Sequence, residues 1–224
     1  MSRAASASPA AVEVVSRRRL APGVLGLEIS RPPGFRFLPG QFVRLSLGGL
    51  TRSYTLTNAP GDPTLTLCIR LVAGGRMTTR LVEIPAGARL SITGPHGYFT
   101  FRASPRRAVL ASTGTGVAPF LAMARAGVRA YLLLRGVSRA GDLHDDDLLR
   151  SAVEIYAPCV SRSADKARSI PGGHRGRVSD YAGERLEPGG YDFYLCGRSE
   201  MLGDMIRIID ERFPESLVYT ESFF

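Results

Sequence analysis

The sequence predicts two domains: an N-terminal antiparallel six-stranded β-barrel, then a C-terminal α/β unit built on a doubly wound parallel sheet. Three observations predict it. Short apolar runs of period two fill the stretch from Val12 to Phe101, with no long helical segment among them. Strand-like runs then alternate with segments of helical period, and the two patterns meet at the polar stretch Ala103-Ser104-Pro105-Arg106-Arg107. The expected layout is therefore a disordered leader over residues 1–10, the barrel over 11–104 and the α/β unit over 105–224.

Taken in order, the first ten residues, MSRAASASPA, are small and polar with no apolar centre. They read as a leader and not as a secretory signal, which places the protein in the cytoplasm. In the barrel, Leu25, Leu27 and Ile29 alternate with small or polar residues, as do Val43, Leu45 and Leu47, and then Leu65, Leu67 and Ile69. Turns separate them at Pro22-Gly23, Pro39-Gly40, Gly48-Gly49, Gly61-Asp62 and Gly74-Gly75. In the second half the strand candidates are Ala108–Ala111, Ala130–Leu134, Val153–Val160 and Tyr191–Leu195. Met201, Leu202, Met205, Ile208, Ile209 and Phe213 mark the clearest helix, and Ile170–Arg177 reads as a glycine-rich loop. The acids of Asp145-Asp146-Asp147 suit a helix's first turn, with Leu143, Leu148 and Leu149 on its buried side.

Composition narrows the function classes. At 224 residues, with 44% hydrophobic and 22% charged side chains, the chain has globular character, and no apolar stretch is long enough to span a bilayer. Its net charge is +9, and all but one of its 29 basic residues are arginine. The arginines are spread along the chain and not interleaved with aromatics, which speaks against nucleic acid. The charge reads either as a solubility feature or as a docking face for an acidic protein. Cys68, Cys159 and Cys196 lie far apart, which excludes a disulfide framework and a four-cysteine iron–sulfur cluster within this stretch. His96, His144 and His174 are equally scattered, so no metal is assigned.

Four stretches carry chemistry. Val109–Pro119 reads as strand, tight turn and helix start, with Thr113, Gly114, Thr115 and Gly116 in the turn. Glycines let the backbone approach an anion, and free N–H groups at the helix start face it, though the third glycine of the full dinucleotide fingerprint is missing. Arg52-Ser53-Tyr54-Thr55, after Leu38-Pro39-Gly40-Gln41-Phe42, sets an arginine and an aromatic on one strand face, suited to a phosphate and a flat ring or to ordinary barrel packing. Gly74-Gly75-Arg76-Met77-Thr78-Thr79 is either a second phosphate segment or a simple turn, and Gly94-Pro95-His96-Gly97-Tyr98-Phe99 follows it. Tyr194-Leu195-Cys196-Gly197 ends a sheet strand where open α/β sheets place ligands, and its cysteine reads equally as a structural core residue.

In this order the motifs resemble the ferredoxin–NADP reductase family of flavoproteins: RSYT, GRMTT, STGTGVAP, YLCG and a terminal Glu221-Ser222-Phe223-Phe224. The likeness spans residues 12–224. It implies that Tyr54 packs on the isoalloxazine of FAD and Thr55 approaches its hydride-accepting nitrogen. It also implies that Arg52, with Ser53, backbone groups of Arg76 and Met77 and the hydroxyl of Thr78, binds the flavin phosphates. Thr113, Gly114, Thr115 and Gly116 would hold the pyrophosphate of NADP, and Cys196 with Gly197 would border the nicotinamide. Glu221 and Phe224 join Tyr54, Thr55 and Cys196 at the reacting rings, Phe224 covering the flavin face or packing as an ordinary terminus. Arg198-Ser199 departs from the family's usual residues after Gly197. Ser161-Arg162, a hydroxyl and a guanidinium after the third sheet strand, suit the 2′-phosphate of NADP. The implied reaction passes a hydride from NADPH to FAD and then single electrons to a separate acidic ferredoxin, flavodoxin or oxygenase component. The alternatives are an NAD(P)H:flavin reductase that takes free flavin as substrate and a non-catalytic electron-transfer subunit.

Overall fold

The computed structural model describes residues 8–162 and 170–223. The leader expected at residues 1–10 falls mostly outside them. Strands β1 (Ala10–Ala21), β2 (Val24–Ser30), β3 (Phe42–Leu47), β4 (Leu50–Thr55), β5 (Thr64–Arg70) and β6 (Arg89–His96) form one antiparallel sheet in the order β4-β3-β6-β1-β2-β5. Its two edges meet just after β4, where Leu56 bridges Leu67 and the Thr57 N–H donates to the Thr66 carbonyl at 2.9 Å. The sheet thus closes into a barrel and leaves no free edge for pairing.

The period-two pattern explains the interior. Leu27 faces Leu67 across β2–β5, and Leu45 faces Ile92 across β3–β6; these four, with Ile29, Val43, Leu65 and Ile69, are almost wholly buried. Helix α1 (Arg76–Glu83) plugs one barrel end with Met77 and Leu81.

The second sheet is wholly parallel. Its strands are β7 (Arg107–Thr113), β8 (Ala130–Val137), β9 (Val153–Val160), β10 (His174–Arg175), β11 (Tyr191–Gly197) and β12 (Leu217–Ser222), in the order β10-β9-β8-β7-β11-β12. Helices α2 (Ala118–Arg125), α3 (Asp146–Ser151), α4 (Val178–Arg185) and α5 (Ser199–Arg212) connect them. β7, β8, the second half of β9 and β11 are buried on both faces and mostly apolar, as parallel sheets require. Strand order reverses between β7 and β11, which makes their carboxyl ends the place for a ligand.

Two expectations need correction. Ile170–Arg177, read as a loop, contains β10, a two-residue strand pairing His174 with Cys159. The terminal stretch, given no strand, forms β12, paired with β11 from Asp192 to Gly197. Both are edge strands, too short or too exposed to show an apolar run. No helix among the described residues is long and apolar enough to cross a membrane.

The α/β core rests on Phe193, which is fully buried with the Phe213 ring 5.6 Å away and the Tyr191 ring 5.7 Å away. Truncation there removes a large buried ring and leaves a cavity. Phe193→Ala is expected to lower unfolding stability by about 3–5 kcal/mol, read as a shift of the denaturant midpoint followed by circular dichroism.

Candidate functional site

At the reversal point, β7 ends in a 3₁₀ turn, Gly114–Val117, that leads directly into α2. Gly114 takes φ +56°, with open space around it, so the turn needs a residue free to enter the left-handed region. Neither the turn nor α2 carries a side-chain cap or an acid in its first turn. The turn's own N–H groups therefore meet no capping side chain and are available to an anion, whereas at the start of α2 the Ala118 N–H donates to the Thr115 carbonyl and Pro119 has none.

Glycines also let two backbones close on one another here. A Cβ on Gly116 would collide with the Cys196 carbonyl, and one on Gly197, at φ +151°, would collide with Thr113 Oγ1. That hydroxyl accepts the Arg198 N–H at 3.1 Å, which ties the start of α5 to the end of β7. The expected group Thr113, Gly114, Thr115, Gly116 and Gly197 is thus one continuous surface.

Cys196 is wholly buried, and its partner in the β11–β12 register is Glu221. Burial first, and the Glu221 carboxylate second, hold the Cys196 thiol well above its ordinary range. Glu221 Oε2 is buried without a partner among the described residues, and burial pushes the carboxyl up to about 7. Phe223 packs half-buried against the cluster that holds Cys196, its N–H donating to the Gly197 carbonyl at 2.7 Å. Phe224 lies outside the described residues.

The barrel reaches this point through Gly97. Tyr54 and Thr55 end β4 opposite Val43 and Phe42, and Gly97 follows β6. A Cβ on Gly97 would lie 3.0 Å from the Phe42 ring and 3.7 Å from Glu221 Oε1. Gln41 Nε2 donates to the Gly97 carbonyl at 3.1 Å. A line of contacts therefore runs from Thr55 through Phe42 and Gly97 to Glu221 and Cys196. Thr55 is buried and Tyr54 half-buried, while Arg52 and Ser53 are exposed, Arg52 donating to the Thr51 carbonyl at 2.7 Å.

The second phosphate segment behaves differently from expectation at one atom. Gly75 starts α1 with no side-chain cap and no acid in the first turn, which leaves the backbone N–H groups of Arg76 and Met77 available. Thr78, however, is buried, and its hydroxyl donates inward to the Gly75 carbonyl at 3.0 Å, with the Val72 carbonyl at 3.2 Å. One proton serves one direction, so what this segment offers an anion is its backbone N–H groups and Arg76, which is exposed. Ser161 and Arg162 are exposed just past β9, their N–H groups donating to the carbonyls of Val137 and Ser138.

Sequence reasoning gave Gly97 no role and missed Arg135, which is fully buried beside the turn. The only trace of Arg135 was a charge inside the apolar run Leu132-Leu133-Leu134-Arg135-Gly136-Val137. The donor set fits two nucleotide-bearing groups: uncapped helix starts in both halves, a half-buried aromatic at the barrel's edge and an orphaned carboxylate oxygen between them.

Glu221 gives the site a pH signature. Its raised pKa means that the folded state binds more protons than the unfolded chain between the ordinary 4.5 and about 7, so stability falls as pH rises through that window. Thermal midpoints of the wild type are expected to drop across it relative to Glu221→Gln; parallel curves would refute the assignment.

Two family models match. Residues 21–101 match the oxidoreductase FAD-binding domain and residues 110–206 the oxidoreductase NAD-binding domain. Ferredoxin–NADP reductase B of Sorangium cellulosum is 39% identical over 171 residues, covering 72% of this chain and 68% of that protein. The toluate 1,2-dioxygenase electron transfer component of Pseudomonas putida is 34% identical over 180 residues, 74% of this chain and 52% of that one, so the chain spans about half of that relative's length. Among solved structures, the Amycolatopsis cytochrome P450 reductase GcoB superposes with a TM-score of 0.82 at 25% identity, covering 97% of this chain and 71% of that one. The matched domains are those for FAD and a nicotinamide nucleotide. The chain belongs to the ferredoxin–NADP reductase family of flavoprotein oxidoreductases.

Proposed function

We propose that this protein is a reductase that takes reducing equivalents from NADPH through bound FAD and delivers single electrons to a separate acidic ferredoxin, flavodoxin or oxygenase component in the cytoplasm. The observation that carries the reading is the meeting of the two halves: the barrel's Thr55–Phe42–Gly97 line ends on Glu221, which is paired with Cys196 beside the glycine turn. Bound FAD supplies the conversion between a two-electron donor and one-electron acceptors.

The chain's own contribution is placement. In this reading residues 11–104 hold the flavin. Tyr54 packs on its ring, Thr55 faces the ring edge, and Arg52, Ser53 and the start of α1, through the backbone of Arg76 and Met77, bind its phosphates. Residues 105–224 hold the nucleotide. Thr113 to Gly116 receive its pyrophosphate at the uncapped turn, and Ser161 with Arg162 receives a 2′-phosphate. Cys196 and Gly197 border the nicotinamide, and Phe224 covers the flavin face. Glu221, holding its proton up to about 7 because it is buried, donates a hydrogen bond into the same space and keeps water out of it. The net charge of +9 supports an acidic electron carrier as partner.

The purified protein is expected to be yellow and to release FAD on denaturation; a protein that never retains flavin would instead favour the free-flavin reductase. With NADPH it should reduce a one-electron dye, and the absence of that activity in flavin-loaded protein would favour a non-catalytic subunit. Arg162→Ala is expected to lower kcat/KM for NADPH by about 10- to 100-fold while leaving NADH within about threefold, the loss of one charge-assisted phosphate contact. Equal effects on both nucleotides in steady-state kinetics would remove the 2′-phosphate role from Arg162.

A further inference from the structure

Beneath the glycine turn sits a charge that packing does not explain. Arg135 lies on β8 in mid-sheet, paired with Ser112 of β7 and Pro158 of β9, and is 1% exposed. Strand alternation gives it the face of Leu133, which is a core position. An apolar side chain would fill that place without the cost of taking an ion out of water.

Among the described residues, the Arg135 Nη1 donates to the Gly114 carbonyl at 2.7 Å and its Nε has no acceptor. No carboxylate among the described residues comes within salt-bridge distance of it. Two acids act on it only through space. Asp145 is held by Arg125 at 3.1 Å and by His144 at 2.9 Å, and burial raises the carboxyl of Asp146, which disfavours its charged form. A guanidinium does not shed its proton at any pH at which the protein is folded. The sheet therefore keeps a full positive charge, short of counter-charge, directly below an uncapped turn that suits an anion.

We propose that Arg135 is a positioning residue for the nicotinamide nucleotide, pinning the Gly114 carbonyl inward so that the turn's N–H groups face out and supplying the positive charge that the ligand's pyrophosphate neutralises. The inference rests on the turn Thr113–Gly116 being the pyrophosphate site. Gly114 sits at φ +56°, and its carbonyl accepts from Arg135 at 2.7 Å. In the trans peptide that follows, the Thr115 N–H points opposite to that carbonyl, as in the anion-binding nests of other glycine turns. The charge and the carbonyl bond are thus two halves of one device, and the ligand completes the charge balance that the bare protein lacks.

A residue that only supports the fold loses stability and binding together when it is replaced. An uncompensated cation that serves a ligand separates them. The test titrates flavin-loaded protein with NADP⁺ and with NAD⁺, both oxidised and therefore redox-inert towards it, by isothermal titration calorimetry, alongside thermal unfolding. Arg135→Met, similar in volume and uncharged, is expected to keep the wild-type flavin spectrum and an equal or higher thermal midpoint. Its dissociation constant for the better nucleotide should rise about tenfold or more. Arg135→Lys keeps the charge without the fork, and Arg135→Gln keeps a donor without the charge; each is expected to recover part of the affinity. Unchanged affinity in folded Arg135→Met overturns the proposal. So does a Met variant that fails to fold, because the charge would then be serving the fold, and so does a loss of affinity that Lys and Gln leave as large. If the wild type binds neither nucleotide, the reading of the turn itself fails, a result distinct from a wild type that binds and a Met variant that binds equally well.

Discussion

The geometry of this protein depends on how closely two parallel backbones approach where the strand order reverses. Gly116 lies against the Cys196 carbonyl and Gly197 against Thr113, and neither contact has room for a Cβ. That approach brings the turn after β7 and the end of β11 into one surface. The rest follows by register: β12 pairs with β11, so Glu221 falls opposite Cys196, and the barrel's Gly97 is the small residue that lets the other half come up to the carboxylate. A side chain at any of these glycines would move Cys196 or Glu221 as well as backbone.

Much of this was legible before the structure. The period-two runs of the barrel and the mostly apolar runs of β7, β8, the second half of β9 and β11 state their burial directly, because one kind of strand is covered on one face and the other on both. Glycine turns were legible for the same reason: few residues tolerate the backbone they require. Edge strands were not. β10 and β12 are held by backbone pairing to a neighbour, and their half-exposed side chains carry no pattern of their own.

The misreadings at the site have a common cause. Thr78 looked like a phosphate ligand because a threonine after two glycines has the right chemistry; whether its single proton points outward or inward depends on the carbonyls around it. Arg135 escaped notice because a lone charge in an apolar run looks like a strand edge, and only the three-dimensional packing reveals that Gly114 supplies its acceptor. Residue type and spacing report what a side chain is capable of. The neighbours decide which capability is used.

The cysteines illustrate a further property. Burial raises the thiols of Cys68 and Cys159 to about 12 and that of Cys196 well above its ordinary value, so hardly any thiolate exists at neutral pH in the folded protein. Thiolate is the form that peroxides and electrophiles attack. The folded protein thereby keeps its sulfur out of reach of such reagents. The same three atoms become reporters of opening: alkylation of any one of them registers a moment when the barrel or the sheet has come apart.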